Sequence, residues 1–336
     1  MKKIFVVALL PAAVLLGGAY WALNTPWLSL EVARGAIRSA LPGARVTELA
    51  AVRQRFSWPD SFTWDNVRIG IEIKGRTYHV TAPGLMVSGV RSILRDRSLL
   101  AVSVTNADAL FPPGEAKGVQ AAFKVSLQGR QLVLIEGPVT IASVAWDKIE
   151  ARQVVFQFSG GLHEFEFRDI RAAAYGGTIT GSARVVPVGL AYSADITVAG
   201  LETAELADLN DQIASQVAGR VNGHMRLVGR GDILLTLESD WSMSNGAKVN
   251  AALLSLLTQY IPQSEERKRL DALILKGGQL PVEVLAFQLR SDTPRHLGGE
   301  IKLKSREVNL ELNITNDINT DGTLTSLVDY WKAYLK

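Results

Sequence analysis

Thr178-Ile179-Thr180-Gly181-Ser182-Ala183-Arg184-Val185 is the stretch on which the fold turns. In an extended chain successive side chains point to opposite faces, so Ile179, Gly181, Ala183 and Val185 share one side and Thr178, Thr180, Ser182 and Arg184 the other. The same period of two runs through three further segments. Across 121–128, Ala121, Phe123, Val125 and Leu127 oppose Ala122, Lys124, Ser126 and Gln128. Across 221–227, Val221, Gly223, Met225 and Leu227 oppose Asn222, His224 and Arg226. Across 308–315, Val308, Leu310, Leu312 and Ile314 oppose Asn309, Glu311, Asn313 and Thr315. Such alternation predicts an antiparallel sheet with one dry face and one wet face, its strands separated by Gly, Pro and Asx turns.

Working outward, helical periodicity interrupts the strands. Residues 28–41 form an amphipathic pattern, with Leu30, Ala33, Ile37 and Leu41 on one stripe, ended by Pro42-Gly43. Residues 90–95 form a short turn of helix, and 202–216 carry Leu206, Leu209 and Ile213 at helical spacing. The segment 249–275 reads as two helices divided by Pro262, with Ser264-Glu265-Glu266 as the capped start of the second. Residues 323–335 close the chain with Leu324, Leu327, Val328, Trp331 and Leu335 on one side. This last helix either caps the open end of the sheet or lies on a membrane, and capping is the reading preferred.

The N-terminus has a different character. Lys2 and Lys3 precede an apolar run from Ile4 to Leu23, long enough as a helix to cross roughly 30 Å of hydrocarbon. The two lysines keep the N-terminus cytoplasmic, so everything after about Trp27 is expected outside, with Trp21 and Trp27 at the interface. Gly17 and Ala19 also suit a signal peptidase, but the run continues through Tyr20-Trp21-Ala22-Leu23, which favours a retained anchor over a cleaved signal. Either way the body is exported. An outer-membrane barrel is opposed by the internal helices and the long anchor.

Composition excludes several classes of function. Among 336 residues, 36 Lys and Arg stand against 33 Asp and Glu, which leaves no dense basic stripe for nucleic acid. Hydrophobic residues at 47% exceed what a disordered chain carries. The absence of Cys removes disulfides, thiol nucleophiles, Cys-ligated metals and a lipidated Cys. His79, His163, His224 and His296 are scattered, with no ligand spacing between them, and no Walker loop, nucleophile elbow or dinucleotide fingerprint occurs. Asp60 with Asp65, and Asp317 with Asp321, lie in turn-rich sequence where Asx residues serve the turns. No cofactor, metal or catalytic residue is assigned, and the chain is read as non-enzymatic.

One resemblance narrows the reading. Ala174-Tyr175-Gly176-Gly177-Thr178-Ile179-Thr180-Gly181-Ser182-Ala183-Arg184-Val185 is similar to the paired-strand motif of AsmA-like and TamB-like envelope proteins. Ala199-Gly200-Leu201 leads into Leu206-Ala207-Asp208-Leu209, and Gly219-Arg220-Val221-Asn222-Gly223-His224-Met225-Arg226-Leu227 resembles that family's recurrent glycine-spaced strand. The order of anchor, short helix, Pro-Gly and strand, followed by Trp64-Asp65-Asn66-Val67-Arg68-Ile69, also looks like the start of those proteins. The likeness is best between Tyr175 and Trp241; residues 249–275 have no counterpart in it.

The resemblance implies a mainly β fold with flanking helices: a twisted, open antiparallel β-groove, taco-like, behind one N-terminal transmembrane helix. It divides the chain into an anchor at 1–27, an N-terminal β region at 28–173 and an AsmA-like C-terminal region at 174–336. It implies an inner-membrane, periplasm-facing protein of outer-membrane homeostasis that carries phospholipid acyl chains on its apolar face. Candidates for that face are Phe123, Val125, Phe165, Phe167, Ile179, Met225, Leu227, Leu310 and Leu312. The same side chains suit a core packed under helices, and the sequence leaves the two readings level. The alternative function is a structural subunit of a secretion or envelope-assembly machine, since the likeness extends to small secretion components with similar bodies. Gly176 and Gly177 read as a tight turn rather than a hinge.

Overall fold

The computed structural model describes residues 45–319 apart from 74, 95–96, 129–130, 162, 209–215, 259–260 and 294–295, together with 30, 31 and 34. The fold is mainly antiparallel β, and its sheet is open. The chain divides into two compact units, Met1–Asp147 and Lys148–Lys336. The family likeness set a boundary at 173/174, which falls inside the second unit; Ala174 and Gly177 pair across a two-residue hairpin turn there.

The first unit is a meander of β1 (Arg45–Ala50), β2 (Arg53–Ser57), β3 (Ser61–Ile73), β4 (Arg76–Ser88), β5 (Arg97–Phe111), β6 (Gly114–Gln128) and β7 (Gln131–Trp146). Both β1 and β2 pair with β3, so they form one edge strand broken at Ala51-Val52. From β3 to β7 each strand pairs antiparallel with the next. Alternation within these strands has a phase change. Trp64 and Val67 face the same side, as do Leu85 and Ala82, Val104 and Ala107, and Ala121 and Val119 in the partner strands, through the pairs Trp64–Leu85, Val67–Ala82, Val104–Ala121 and Ala107–Val119. Asn66, Asn106 and Gly118 adopt positive φ at that line. A bulge residue advances the chain by one without moving the apolar face, and because neighbouring strands shift together the face stays continuous. Val67, Ala82 and Ala107 form the buried centre of this unit.

The second unit contains β8 (Ile149–Gly160), β9 (Phe165–Ala174), β10 (Gly177–Val186), β11 (Ala191–Glu202), β12 (Val217–Ala218), β13 (Arg220–Arg230), β14 (Ile233–Asn250), β15 (Gln279–Thr293), β16 (His296–Ser305) and β17 (Leu310–Asn319). The pairing order is β8-β9-β10-β11-β13-β14-β15-β16-β17, with the two residues of β12 added beside β14. Among the described residues no pairing joins β17 back to β8.

Two helices, α1 (Ala251–Thr258) and α2 (Glu265–Leu275), leave the sheet between β14 and β15. The Asn250 side chain accepts a hydrogen bond from Leu253 N at 3.1 Å, opening α1 where the strand stops. Ser264 caps α2 by accepting from Arg267 N at 3.2 Å, and Gly277 and Gly278 close it by donating to Ile274 O and Leu273 O at 2.9 and 3.0 Å. Leu254 and Leu270, 0 and 1% exposed, press onto Val249, Leu280, Val282, Leu303 and Leu310 to make the main core.

The expected helix pair is thus present, though it begins at Ala251 because Val249 and Asn250 still belong to β14. The helical signal at 90–95 is a 3-10 turn, Val90–Leu94, and that at 202–216 begins as a second 3-10 turn, Thr203–Asp208. Of the expected 28–41 helix, residues 30, 31 and 34 are described and are helical. The anchor expected at 1–27 and the helix expected at 323–335 lie outside the described residues. Among the described residues, no helix is long and apolar enough to cross a membrane.

Candidate functional site

Register turns the alternating strands into rows. In the second unit Ala172, Ile179, Val198, Gly223, Trp241, Phe287, Ile301 and Ile314 stand opposite one another in sequence from β9 to β17. A second row runs Phe158, Phe167, Ala183, Ala194, Leu227 and Leu237, and a third runs Ile170, Gly181, Ile196, Met225, Ser239 and Leu289. No Asp, Glu, Lys, Arg or His interrupts these rows. The aromatic end is dense: Phe158 lies edge-on to Phe167 at 5.5 Å and stacks on Phe165 at 6.1 Å, and Phe156 meets Phe167 at 5.6 Å.

The first unit repeats the arrangement on its own strands. Phe62, Val87, Val102 and Phe123 form one row, Trp64, Leu85, Val104, Ala121 and Val139 the next, and Leu100, Val125 and Ile135 a third. Beside them the Trp64 indole is satisfied, since its Nε1 donates to Gln54 Oε1 at 2.8 Å.

Charge is confined to the opposite faces. Arg184 donates to Glu164 at 2.6 Å, Arg220 to Glu202 at 2.8 Å, and Lys117 to Glu115 at 2.6 Å. Lys302 and Asn313 hold the Glu300 carboxyl below the ordinary glutamate range. His224 lies 2.9 Å from Asp195, half exposed on this wet side. Such exposed pairs contribute little stability, about 0–1 kcal/mol each, but they keep the face solvated. A charge moved to the dry rows would lose its hydration without a partner and cost several kcal/mol.

The nine sequence candidates separate into two environments. Phe123, Phe165, Phe167, Ile179, Met225 and Leu227 are half-buried members of the rows, whereas Val125 is buried in its row at 8% exposure. Leu310 and Leu312 lie in the cluster that also holds Leu254 and Leu270, so these two pack with helices α1 and α2. Sequence reasoning passed over Trp241 and Phe287, which occupy the centre of the longest row. Both carry the same signal: Trp241 and Met243 alternate with Asp240 and Ser242, and Leu285, Phe287 and Leu289 with Ala286, Gln288 and Arg290.

Glycine shapes this face at Gly223, where a Cβ would stand 2.2 Å from the Trp241 ring, so the missing side chain is what lets the indole lie flat across β13. Tyr192 lies similarly across Gly229. Its hydroxyl is buried without a hydrogen-bond partner among the described residues, and burial, with Asp232 nearby, pushes its ionisation upward. The arrangement offers a long apolar surface with very few polar groups; among the described residues, no three of His, Asp or Glu converge as metal ligands. Compared with known proteins, the chain matches no family model, no curated protein and no solved structure.

Proposed function

We propose that this chain is a non-enzymatic, inner-membrane-anchored periplasmic protein that handles phospholipid, resting acyl chains on the dry face of its open sheet, as the resemblance to AsmA-like and TamB-like envelope proteins implies. The observation that carries the reading is the charge-free row from Ala172 to Ile314, whose six members from β9 to β15 lie outside the helix-packed core that takes in Ile301 and Ile314. Acyl chains need a continuous surface that offers no unpaired polar group, and half-exposed Phe165, Phe167, Ile179, Met225 and Leu227 supply one. The sheet is open and uncurled rather than folded into the expected taco-like groove, so in this reading the chains rest on an open face, and the apolar run at 4–23 holds the body at the membrane.

A photo-crosslinking residue at Phe167 or Met225 in the full chain in cells tests it. Covalent phospholipid on both, with little on a residue of the wet face such as Thr180, supports the reading; a lipid-free protein at all three sites overturns it. The alternative, a structural subunit of an envelope machine, draws on the cover that α1 and α2 place over β14 to β17 and on the free outer edge of β17 among the described residues. Stable capture of a protein partner from an edge residue such as Glu311, without lipid on the face, favours that alternative.

A further inference from the structure

The turn Ser57-Trp58-Pro59-Asp60 joins β2 to β3 and carries Trp58 with 78% of its surface exposed. An indole combines a large apolar body with a polar tip, which suits it to a boundary between water and an apolar phase. A cation lies over it: the Arg91 guanidinium is 4.0 Å from the centre of the ring. Arg91 is not placed by chance. It sits in the 3-10 turn Val90–Leu94, which is tied down on both sides. Val90 N donates to Asp60 O at 3.2 Å, Leu99 N donates to Ser92 Oγ at 3.1 Å, and Ser98 Oγ donates to Ser92 O at 2.6 Å.

Behind the turn an aromatic ladder leads onto the dry face. Phe56 and Phe62 flank the turn with centroids 5.0 Å apart, and Phe62 stacks on Trp64 at 5.7 Å. Arg91 in the 3-10 turn and Arg97 at the start of β5 just beyond it are exposed, and among the described residues no ion pair holds either. Leu99, 59% exposed, adds apolar surface beside Arg97. An indole bearing a guanidinium, with a second arginine at the start of the following strand, matches the chemistry of a bilayer interface: the ring seats among carbonyls and headgroups while the cations meet phosphate.

We infer that the Trp58–Arg91 corner of the first unit docks on a lipid bilayer surface containing anionic phospholipid. Docking here does not require acyl chains to occupy the dry face. The two ideas therefore fail separately.

The absence of cysteine makes the test clean, because a single introduced thiol is the only label site. Ser57→Cys carries an environment-sensitive fluorophore in the full chain, reconstituted into phosphatidylcholine vesicles with or without phosphatidylglycerol. Thr77→Cys, on β4 beside the turn at the opposite end of β3, is the reference. The expected result is a blue-shifted emission at position 57 and several-fold stronger quenching by a headgroup-proximal spin-labelled lipid than at position 77. Added Trp58→Ser abolishes the difference, and added Arg91→Gln removes only the gain due to phosphatidylglycerol. Emission at 57 that stays aqueous in both vesicles overturns the inference, whatever the crosslinking at Phe167 shows. Shielding at 57 that rises with protein concentration in the absence of vesicles also overturns it, in favour of contact between copies of the chain.

Discussion

Gly223 on β13 and Trp241 on β14 are directly opposed, and the indole covers the space that any side chain at 223 would fill. The pair shows how the dry face gains a large aromatic surface at mid-sheet without pushing the strands apart. Gly223→Ala puts a methyl group inside the ring's volume, so the indole rotates off its row. We expect a loss of about 1–3 kcal/mol, the usual cost of overpacking, and a changed near-ultraviolet dichroism. Unchanged stability and spectrum would mean that the ring is not seated there.

Adjacent positions 179 and 180 test the two faces against each other. Ile179→Glu places a carboxylate in the long row, with Ala172 and Val198 beside it, and should cost about 3 kcal/mol or more or prevent folding. Thr180→Glu lies opposite Arg171 and Thr197 on the wet face and should change stability by about 0.5 kcal/mol or less. Equal effects in urea unfolding would contradict the assignment of faces.

Leu270 is the buried residue of α2 in the main core, and its truncation to Ala should cost about 2–5 kcal/mol. Since Leu270 shares its core cluster with Leu310 and Leu312 and not with the aromatic end, Leu270→Ala should lower the unfolding midpoint while lipid captured at Phe167 stays as before. A parallel loss of capture in protein that remains folded would tie the two regions together.

Tyr192→Phe removes a buried hydroxyl that has no partner among the described residues. Deleting an unsatisfied polar group should be neutral or stabilising, by up to about 1 kcal/mol. In the parent, ultraviolet titration should show one tyrosine ionising above the ordinary range, owing to burial and to Asp232, and that component should vanish in the variant. A destabilised variant would reveal a hydrogen bond that the hydroxyl does make.

The start of α2 should be acid-sensitive. The Glu266 carboxylate accepts from its own backbone N–H and from the Ser264 hydroxyl, which lowers its pKa below the ordinary glutamate range. A carboxylate lowered on folding stabilises the folded state above its unfolded value, and the gain is lost as pH falls through the lowered value. Amide exchange at the first turn of α2 should therefore rise over that acidic window in the parent. In Glu266→Gln the extra exchange should be present at neutral pH already, and an identical pH profile for both would rule out the cap's carboxylate as the cause.

The dry face was legible wherever a strand keeps its phase. At 178–185 and 310–315 the burial pattern follows the sequence residue by residue, because an uninterrupted strand has no freedom to choose which side chains go inward, whereas Val308 and Asn309, expected in the same strand, belong to the turn before it. The capped helix at Ser264 was legible for a similar local reason, as Ser264 accepts from Arg267 N and Glu266 from its own N–H within the same turn. The Trp58–Arg91 contact was not. It joins a turn to a 3-10 segment more than thirty residues away, and no local pattern encodes that distance.

What the sequence determined by itself was a set of one-sided strands, a broken helix pair and a chain without thiol or nucleotide-binding motifs. These follow from side-chain period and backbone preference, which act over a few residues. Register was decided only by tertiary structure. The bulges at Asn66, Asn106 and Gly118 bring separate dry stripes into line, and the folding of α1 and α2 onto β14 to β17 settles that Leu310 is core while Phe167 stays partly open. Which apolar residues are covered depends on what packs over them, and that is a property of the whole chain's contacts rather than of any segment's pattern.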